Sequence, residues 1–311
     1  MSRRLPSLML RGIAAVALCP CVVPAATIDA VFSGSYTVTD LGAPPAAIPH
    51  GGLSFLPGDP NHLLIGAKAN AVDGVFYKVA VSRDASCHID GFVIPPTAYG
   101  TVGEYNDGGV TFSPDRVLFS TRYPRNELAQ TRITSNDEDR VDDLDLYGVV
   151  TTVSVSGAAF VPAGFAGAGQ LKLTEIHGNW YTMPLAADGA GTYNLGTAVF
   201  QVALSGSPEN FSYVRGENAV FGADSVVVAE SLLHSLAAYT VDANGDPVVA
   251  SRRRFAFGLS EPLGLAVDPL TGDLLLTDID VVSVFRISGF VAPHPPEWIF
   301  TDGFDDLCAG L

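Results

Sequence analysis

One motif, repeated at a near-constant interval, constrains this chain more than any other feature. Gly51-Gly52-Leu53-Ser54-Phe55-Leu56-Pro57 is echoed by Gly108-Gly109-Val110-Thr111-Phe112-Ser113-Pro114 and by Gly157-Ala158-Ala159-Phe160-Val161-Pro162. Weaker copies are Pro208-Glu209-Asn210-Phe211-Ser212-Tyr213-Val214 and Pro262-Leu263-Gly264-Leu265-Ala266-Val267-Asp268-Pro269. With openings at 51, 108, 157, 208 and 262, the steps are 57, 49, 51 and 54 residues. Each opening leads into an apolar strand, a turn and further short strands. A supersecondary unit of four strands every ~50 residues is the period of a propeller blade.

The segments between the openings agree with that period. Leu63-Leu64-Ile65, Val75-Phe76-Tyr77-Lys78-Val79, Val117-Leu118-Phe119, Val226-Val227-Val228 and Leu274-Leu275-Leu276 are short, apolar and bounded by turn signals. Gly58-Asp59-Pro60-Asn61, Asn244-Gly245-Asp246-Pro247 and Thr271-Gly272-Asp273 read as hairpin turns. No amphipathic helix longer than about three turns stands out. The last unit runs to only three strands before Gly289, while Val31 to Leu41 forms a strand with no unit of its own. Pairing that strand onto the outside of the last unit closes a five-bladed ring and removes a free edge. A sixth blade is conceivable only if the third unit hides one.

The two ends read differently from the middle. Arg3, Arg4 and Arg11, the apolar run Gly12 to Val23 and the small residues of Val23-Pro24-Ala25-Ala26 have the three-part form of a secretory signal. The run is shorter than the ~20 apolar residues of a membrane span. The expected organisation is a signal peptide over 1–26, an all-β propeller domain over 27–290 and a C-terminal tail over 291–311, secreted or periplasmic without stable membrane insertion. Setting aside Arg3, Arg4 and Arg11 leaves 14 basic residues against 33 acidic ones. So acidic a surface repels nucleic acid and favours cations or basic partners. Cys87 and Cys308 are the only cysteines after residue 26, and one disulfide between them is permitted in an oxidising compartment. In a closed ring they would come from neighbouring blades.

The fifth unit, through Thr271-Gly272-Asp273-Leu274-Leu275-Leu276-Thr277-Asp278, resembles the repeats of NHL and gluconolactonase-like propellers. More broadly, residues 41–290 resemble a family of exported bacterial β-propeller-like proteins with no assigned activity. That resemblance rests on the first opening, Arg122-Tyr123-Pro124, Gly169-Gln170-Leu171-Lys172, Gly178-Asn179-Trp180-Tyr181, Ala238-Tyr239-Thr240-Val241-Asp242 and Asp268-Pro269-Leu270-Thr271-Gly272-Asp273. Asp302-Gly303-Phe304-Asp305 is similar to an Asp-Gly-Phe-Glu tail found on exported proteins of some proteobacteria, with Asp305 in place of Glu. Gluconolactonase-like propellers hold a catalytic divalent metal on the channel, so the resemblance implies such a site here as an expectation of fold analogy.

No Gly-x-Ser-x-Gly elbow, His-Glu-x-x-His or phosphate-binding Gly-x-x-x-x-Gly-Lys occurs in the sequence. The acidic run Asn136 to Asp145 lacks the glycine and closing glutamate of an EF-hand and reads as a solvated loop. Geometry is more informative. In a propeller the start of each first strand and the end of each second strand gather on one face around the axis. Those positions hold His50, Asp107, Glu209 and Glu261, then Lys68, Asn70, Arg122, Asn126, Glu175, His177, Asn179, Glu230, Asp278 and Asp280. Carboxylates brought together repel unless protonated or bridged by a cation, and an oxygen-rich set suits Ca²⁺ or Mg²⁺. The expected metal ligands are Glu209, Glu230, Glu261 and Asp107, with Asn179 or Asp278 as further donors. The expected ligand-binding residues are His50, Arg122, His177, Asn179, Trp180 and Asp278. Three functions follow as expectations. They are a module binding a small molecule or an envelope or extracellular partner through its polar channel face, a divalent-metal-dependent hydrolase or lactonase, and a passive surface protein.

Overall fold

A computed structural model describes residues 26–293 of the chain. Five antiparallel four-stranded sheets stand as blades around one axis. Blade 1 is built from His50–Leu56, Asp59–Ala67, Val75–Arg83 and Ile89–Ala98, counted outward from the axis. Blade 2 follows with Asn106–Phe112, Val117–Arg122, Glu127–Arg132 and Arg140–Asp143. Blade 3 comprises Val155–Phe160, Leu171–Glu175, Asn179–Met183 and Val199–Ala203. The extra length of the third unit is a small hairpin, Leu185–Ala187 with Tyr193–Leu195, and not a sixth blade. Blade 4 is Pro208–Val214, Ser225–Glu230, Ser235–Thr240 and Arg253–Phe257. Blade 5 is Pro262–Val267, Leu274–Asp278 and Ser283–Ser288. The openings read from the sequence are the innermost strands.

The apolar faces of neighbouring blades pack against each other, and the buried core accordingly divides into five clusters, one for each blade-to-blade interface. Two polar contacts are embedded in these interfaces. Lys172 of blade 3, fully buried, donates to Asp246 Oδ1 at 2.6 Å and to Thr182 Oγ1 at 2.7 Å, while Trp180 Nε1 donates to the same Asp246 oxygen at 2.9 Å. Arg83 of blade 1 grips Asp268 of blade 5 at 2.7 and 3.1 Å, and its other N–H groups reach Asn61 and the carbonyls of Pro60 and Cys87. Such pairs are costly to break because they leave a buried charge without its partner.

The ring is closed from the N-terminal side. Thr37–Asp40 pairs antiparallel with Ser283–Ser288 and supplies the fourth strand that blade 5 lacks. The strand is shorter than the expected Val31 to Leu41, because residues 30–35 form turns instead. Before those turns, Thr27–Ile28 adds a fifth strand to blade 4, which the sequence reading did not anticipate. The segment therefore bridges two blades, and its turns drive Phe32 and Tyr36 into the interface between them. Phe32 lies edge-on to Phe255 with ring centroids 5.0 Å apart, and Tyr36 meets Phe255 at 5.3 Å and Phe290 at 4.7 Å. The Tyr36 hydroxyl donates to Ala219 O at 2.7 Å, and burial pushes its pKa up to about 12. Among the described residues no helix is long and apolar enough to cross a membrane. Cys87 is disulfide-bonded; the expected partner Cys308, the signal segment up to residue 25 and most of the tail lie outside the described residues.

Candidate functional site

Every innermost strand breaks register with its neighbour just after it begins. The breaks fall between His50 and Leu53, Asn106 and Val110, Val155 and Gly157, Pro208 and Phe211, and Pro262 and Leu265. A bulge leaves its extra residue unpaired and re-aims the side chain. Here the repetition turns five local irregularities into a ring at the upper face, where the innermost strands begin. Glycine makes the ring possible at its tightest point. A Cβ on Gly52 would lie 2.2 Å from Gly108 O, and one on Gly157 would lie 2.5 Å from Glu209 O. Three threonines recover the backbone groups that the bulges free. Thr121 Oγ1 accepts from Gly109 N at 3.1 Å and donates to Ser156 O of the next blade at 2.6 Å. Thr277 accepts from Gly264 N and donates to Gly51 O, and Thr174 accepts from Gly157 N.

The bulges of blades 2, 3 and 4 carry Asp107, Ser156 and Glu209, and these come together. Ser156, fully buried, donates its hydroxyl hydrogen bond to Glu209 Oε2 and also reaches the Asp107 carboxyl. Ser231 donates to the other Glu209 oxygen at 2.8 Å. Asp107 and Glu209 are 2% and 4% exposed, and Asp107 Oδ2 has no hydrogen-bond partner. Burial raises the Asp107 pKa well above the carboxylate range, and repulsion from Glu209 and Glu261 raises it further. Burial also raises Glu209, with Glu261 adding repulsion, against the lowering effect of the two serine hydroxyls. The exposed Glu261 and the half-buried Tyr123 complete the group. Glu261 is raised by desolvation, then by Asp280 and Asp278. Tyr123 is raised by burial and by the three carboxyls Asp107, Glu209 and Glu261. Carboxyls raised together in this way hold protons that an ordinary carboxylate gives up, so such a group can present a donor as well as acceptors.

Other sequence-derived candidates serve the fold. The last residue of the second strand pairs with the first residue of the innermost strand at Arg122, Glu175, Glu230 and Asp278. Each is consumed by its own surroundings. Arg122 is ion-paired with Glu104 at 2.6 Å, Glu127 at 3.0 Å and Glu138, the last from the acidic run, which is thereby tied down. Glu175 holds Thr151, Asn179 Nδ2 at 2.9 Å and the exposed His177 at 3.3 Å. Glu230 receives Arg252 through two nitrogens, Tyr239 at 2.6 Å and Ser235. Asp278 caps the loop through the backbone N–H groups of Ser260 and Glu261 at 2.7 and 3.0 Å. Trp180 is sealed between blades 3 and 4 and is not on the channel face. His50 starts the blade 1 strand, fully buried, with Nε2 3.3 Å from Ala46 O and Nδ1 unpartnered; burial lowers its pKa.

The four carboxylates expected as metal ligands stand in different surroundings. Glu230 is neutralised by Arg252, and among the described residues no group of three or more His, Cys, Asp or Glu side chains is arranged to hold a metal ion. Ser156, Tyr123 and Ser231 were missed, although Ser156 occupies the same place before its glycine as Asp107 does before Gly108. The axis is closed below the ring. Asn210 of blade 4 reaches across to donate to Gly108 O of blade 2 at 2.7 Å. A cavity of about 620 Å³ opens on the opposite, lower face.

No protein-family model matches the chain, and no curated protein matches it by sequence. Solved structures do match. The likeness is one of fold. The calcium structure of Trichoderma reesei Carbohydrate-Active Enzymes Family AA12 superposes with a TM-score of 0.51 at 9% identity, covering 86% of this chain and 97% of that one. The iodide structure of the same protein gives 0.50 at 10% identity, covering 86% and 98%. An auxiliary nutrient binding protein from Bacteroides ovatus gives 0.48 at 11% identity, covering 82% and 76%. The chain is an all-β five-bladed propeller.

Proposed function

We propose that this chain is an exported propeller that binds a small polar molecule at the upper mouth of its axis, over Asp107, Ser156 and Glu209. The observation that carries this reading is the buried carboxyl pair held to one serine hydroxyl, with Asp107 Oδ2 left without a partner. A buried acceptor with no partner costs about 1–3 kcal/mol, and a ligand that donates to it recovers that free energy. The pair suits a hydroxyl or amino group, because a protonated carboxyl donates to the first and an ionised one accepts from either. Glu261 and Tyr123 at the rim would then meet the part of the ligand nearer solvent. The acidic balance of 33 Asp and Glu against 17 Lys and Arg favours neutral or cationic ligands over anionic ones. Export rests on the signal-like form of residues 1–26 and places the binding event in the periplasm or outside the cell.

The test is a thermal-shift and calorimetric screen of monosaccharides, amino sugars, polyamines and amino acids against the wild type, Asp107→Asn and Glu209→Gln. A compound that stabilises the wild type should bind at least tenfold more weakly to both variants. Hits whose affinity is indifferent to both substitutions would place recognition elsewhere.

A further inference from the structure

The lower cavity has the properties of a second binding site. Its lining draws on the far ends of the innermost strands of all five blades, including Ser54, Thr111, Ala159, Ser212 and Ala266. Aromatic side chains wall it, among them Phe55, Phe160, Phe165, Tyr213 and Phe290. Its volume, about 620 Å³, falls within the range of pockets that enclose small organic molecules, ~300–1,000 Å³. Asn210 belongs to the same lining and is 1% exposed. Its amide nitrogen is fixed on Gly108 O, which sets the orientation of the side chain, and its Oδ1 is buried with no partner. Arg215, the cation of the lining, is already committed. It donates to Gly164 O at 2.8 Å and Ala163 O at 3.2 Å, and lies over the Phe165 ring at 4.3 Å. Mostly apolar walls around one buried unsatisfied acceptor, with the lining carboxylate of Glu217 on an exposed residue, select a ligand with an apolar body and a single donor.

We propose that the lower cavity binds an uncharged amphipathic small molecule, with an aromatic or aliphatic body against the phenylalanines and one hydroxyl or N–H group on Asn210 Oδ1. The site is independent of the carboxyl pair, since the Asn210–Gly108 contact spans the axis between them. The probe is N-phenyl-1-naphthylamine, an uncharged arylamine whose fluorescence rises in apolar surroundings, titrated into the full chain. Saturable binding of one probe per chain is expected. Ala159→Phe and Ser54→Phe, both at half-buried positions of the wall, should each weaken binding at least tenfold with the melting temperature within a few degrees of wild type. Non-saturable uptake, or wild-type affinity in both filled variants, overturns the proposal. So does a loss in Asp107→Asn as large as in Ala159→Phe, because the probe would then be reporting the upper mouth.

Discussion

Replacing Phe32 by alanine tests how the ring is held shut. Phe32 is completely buried, and it packs on Phe255, Phe221 and Tyr36 at centroid separations of 5.0, 5.5 and 6.2 Å. A buried Phe removes ~150–250 Å² from water, which at ~25 cal/mol per Å² is about 4–6 kcal/mol. Alanine keeps part of that burial, the neighbouring rings relax partly into the gap, and measured Phe→Ala losses in cores run at about 3–5 kcal/mol. The expected loss is thus about 4 kcal/mol, read as a lower urea midpoint at unchanged slope. The loss should be local in origin. Amides of Thr37–Asp40, which pair with Ser283–Ser288, should exchange with solvent faster than those of blade 2. Val31→Ala is the control, because Val31 is 62% exposed and should change stability by no more than about 0.5 kcal/mol. A loss under about 1 kcal/mol in Phe32→Ala, with unaltered exchange in Thr37–Asp40, would mean that strand pairing alone closes the ring and that the aromatic cluster is incidental.

Gly52→Ala should leave little folded protein in circular dichroism melts, since the new Cβ would stand 2.2 Å from Gly108 O, whereas Gly34→Ala, with nothing within 4 Å, should be silent. Lys172→Met should cost about 3–5 kcal/mol in urea unfolding by stranding Asp246 between blades 3 and 4, and adding Asp246→Leu should restore most of that loss. Asp107 and Glu209 have native pKa values raised above their unfolded ones, so their contribution to stability is fully present below the ordinary carboxylate range and lost as pH rises through the raised native values. Asp107→Asn should therefore gain stability relative to wild type as pH rises above the ordinary carboxylate range, and parallel stability profiles would refute the buried pair.

The fold was legible because the propeller writes itself into the chain as a period. The five openings fell within two residues of the observed innermost strands, which start at His50, Asn106, Val155, Pro208 and Pro262. The missing fourth strand of blade 5 was legible from the count of strands in the last unit. The attachment of Thr27–Ile28 to blade 4 was not, because two residues carry no alternation. The turns around Phe32 were signalled by Ser33-Gly34-Ser35 but overlooked, because Phe32, Tyr36 and Val38 fall on alternate positions as in a strand. For the site, the face was legible and the chemistry on it was not. Charge alone does not tell Glu209, left beside another carboxyl, from Glu230, already met by Arg252 from the loop before the outermost strand of its own blade. That pairing is a matter of three-dimensional reach. Ser156 was passed over because serine attracts no notice among acids, yet it stands immediately before the third opening as His50, Asp107 and Glu261 stand before the first, second and fifth.

The register breaks explain how a repeated fold gathers two buried carboxyls on one side of its upper face. Five register breaks of unequal length stand at the upper face, and breaks of one length carrying identical side chains would make a symmetric ring. The sequence breaks the symmetry instead. In blade 1 His50 turns to Ala46 O, and in blade 5 Glu261 stands at the surface. Blades 2 and 4 each supply a carboxyl, and blade 3, between them, supplies the hydroxyl that both can reach. A serine is short enough to leave room for two carboxyls from either side, and its one hydroxyl hydrogen, donated to Glu209 Oε2, favours the ionised form of Glu209 without neutralising the pair. One position outward, the polar ends of the second strands anchor loops. The polar ends of the second strands thus serve the fold, while the register breaks of the innermost strands vary their chemistry blade by blade.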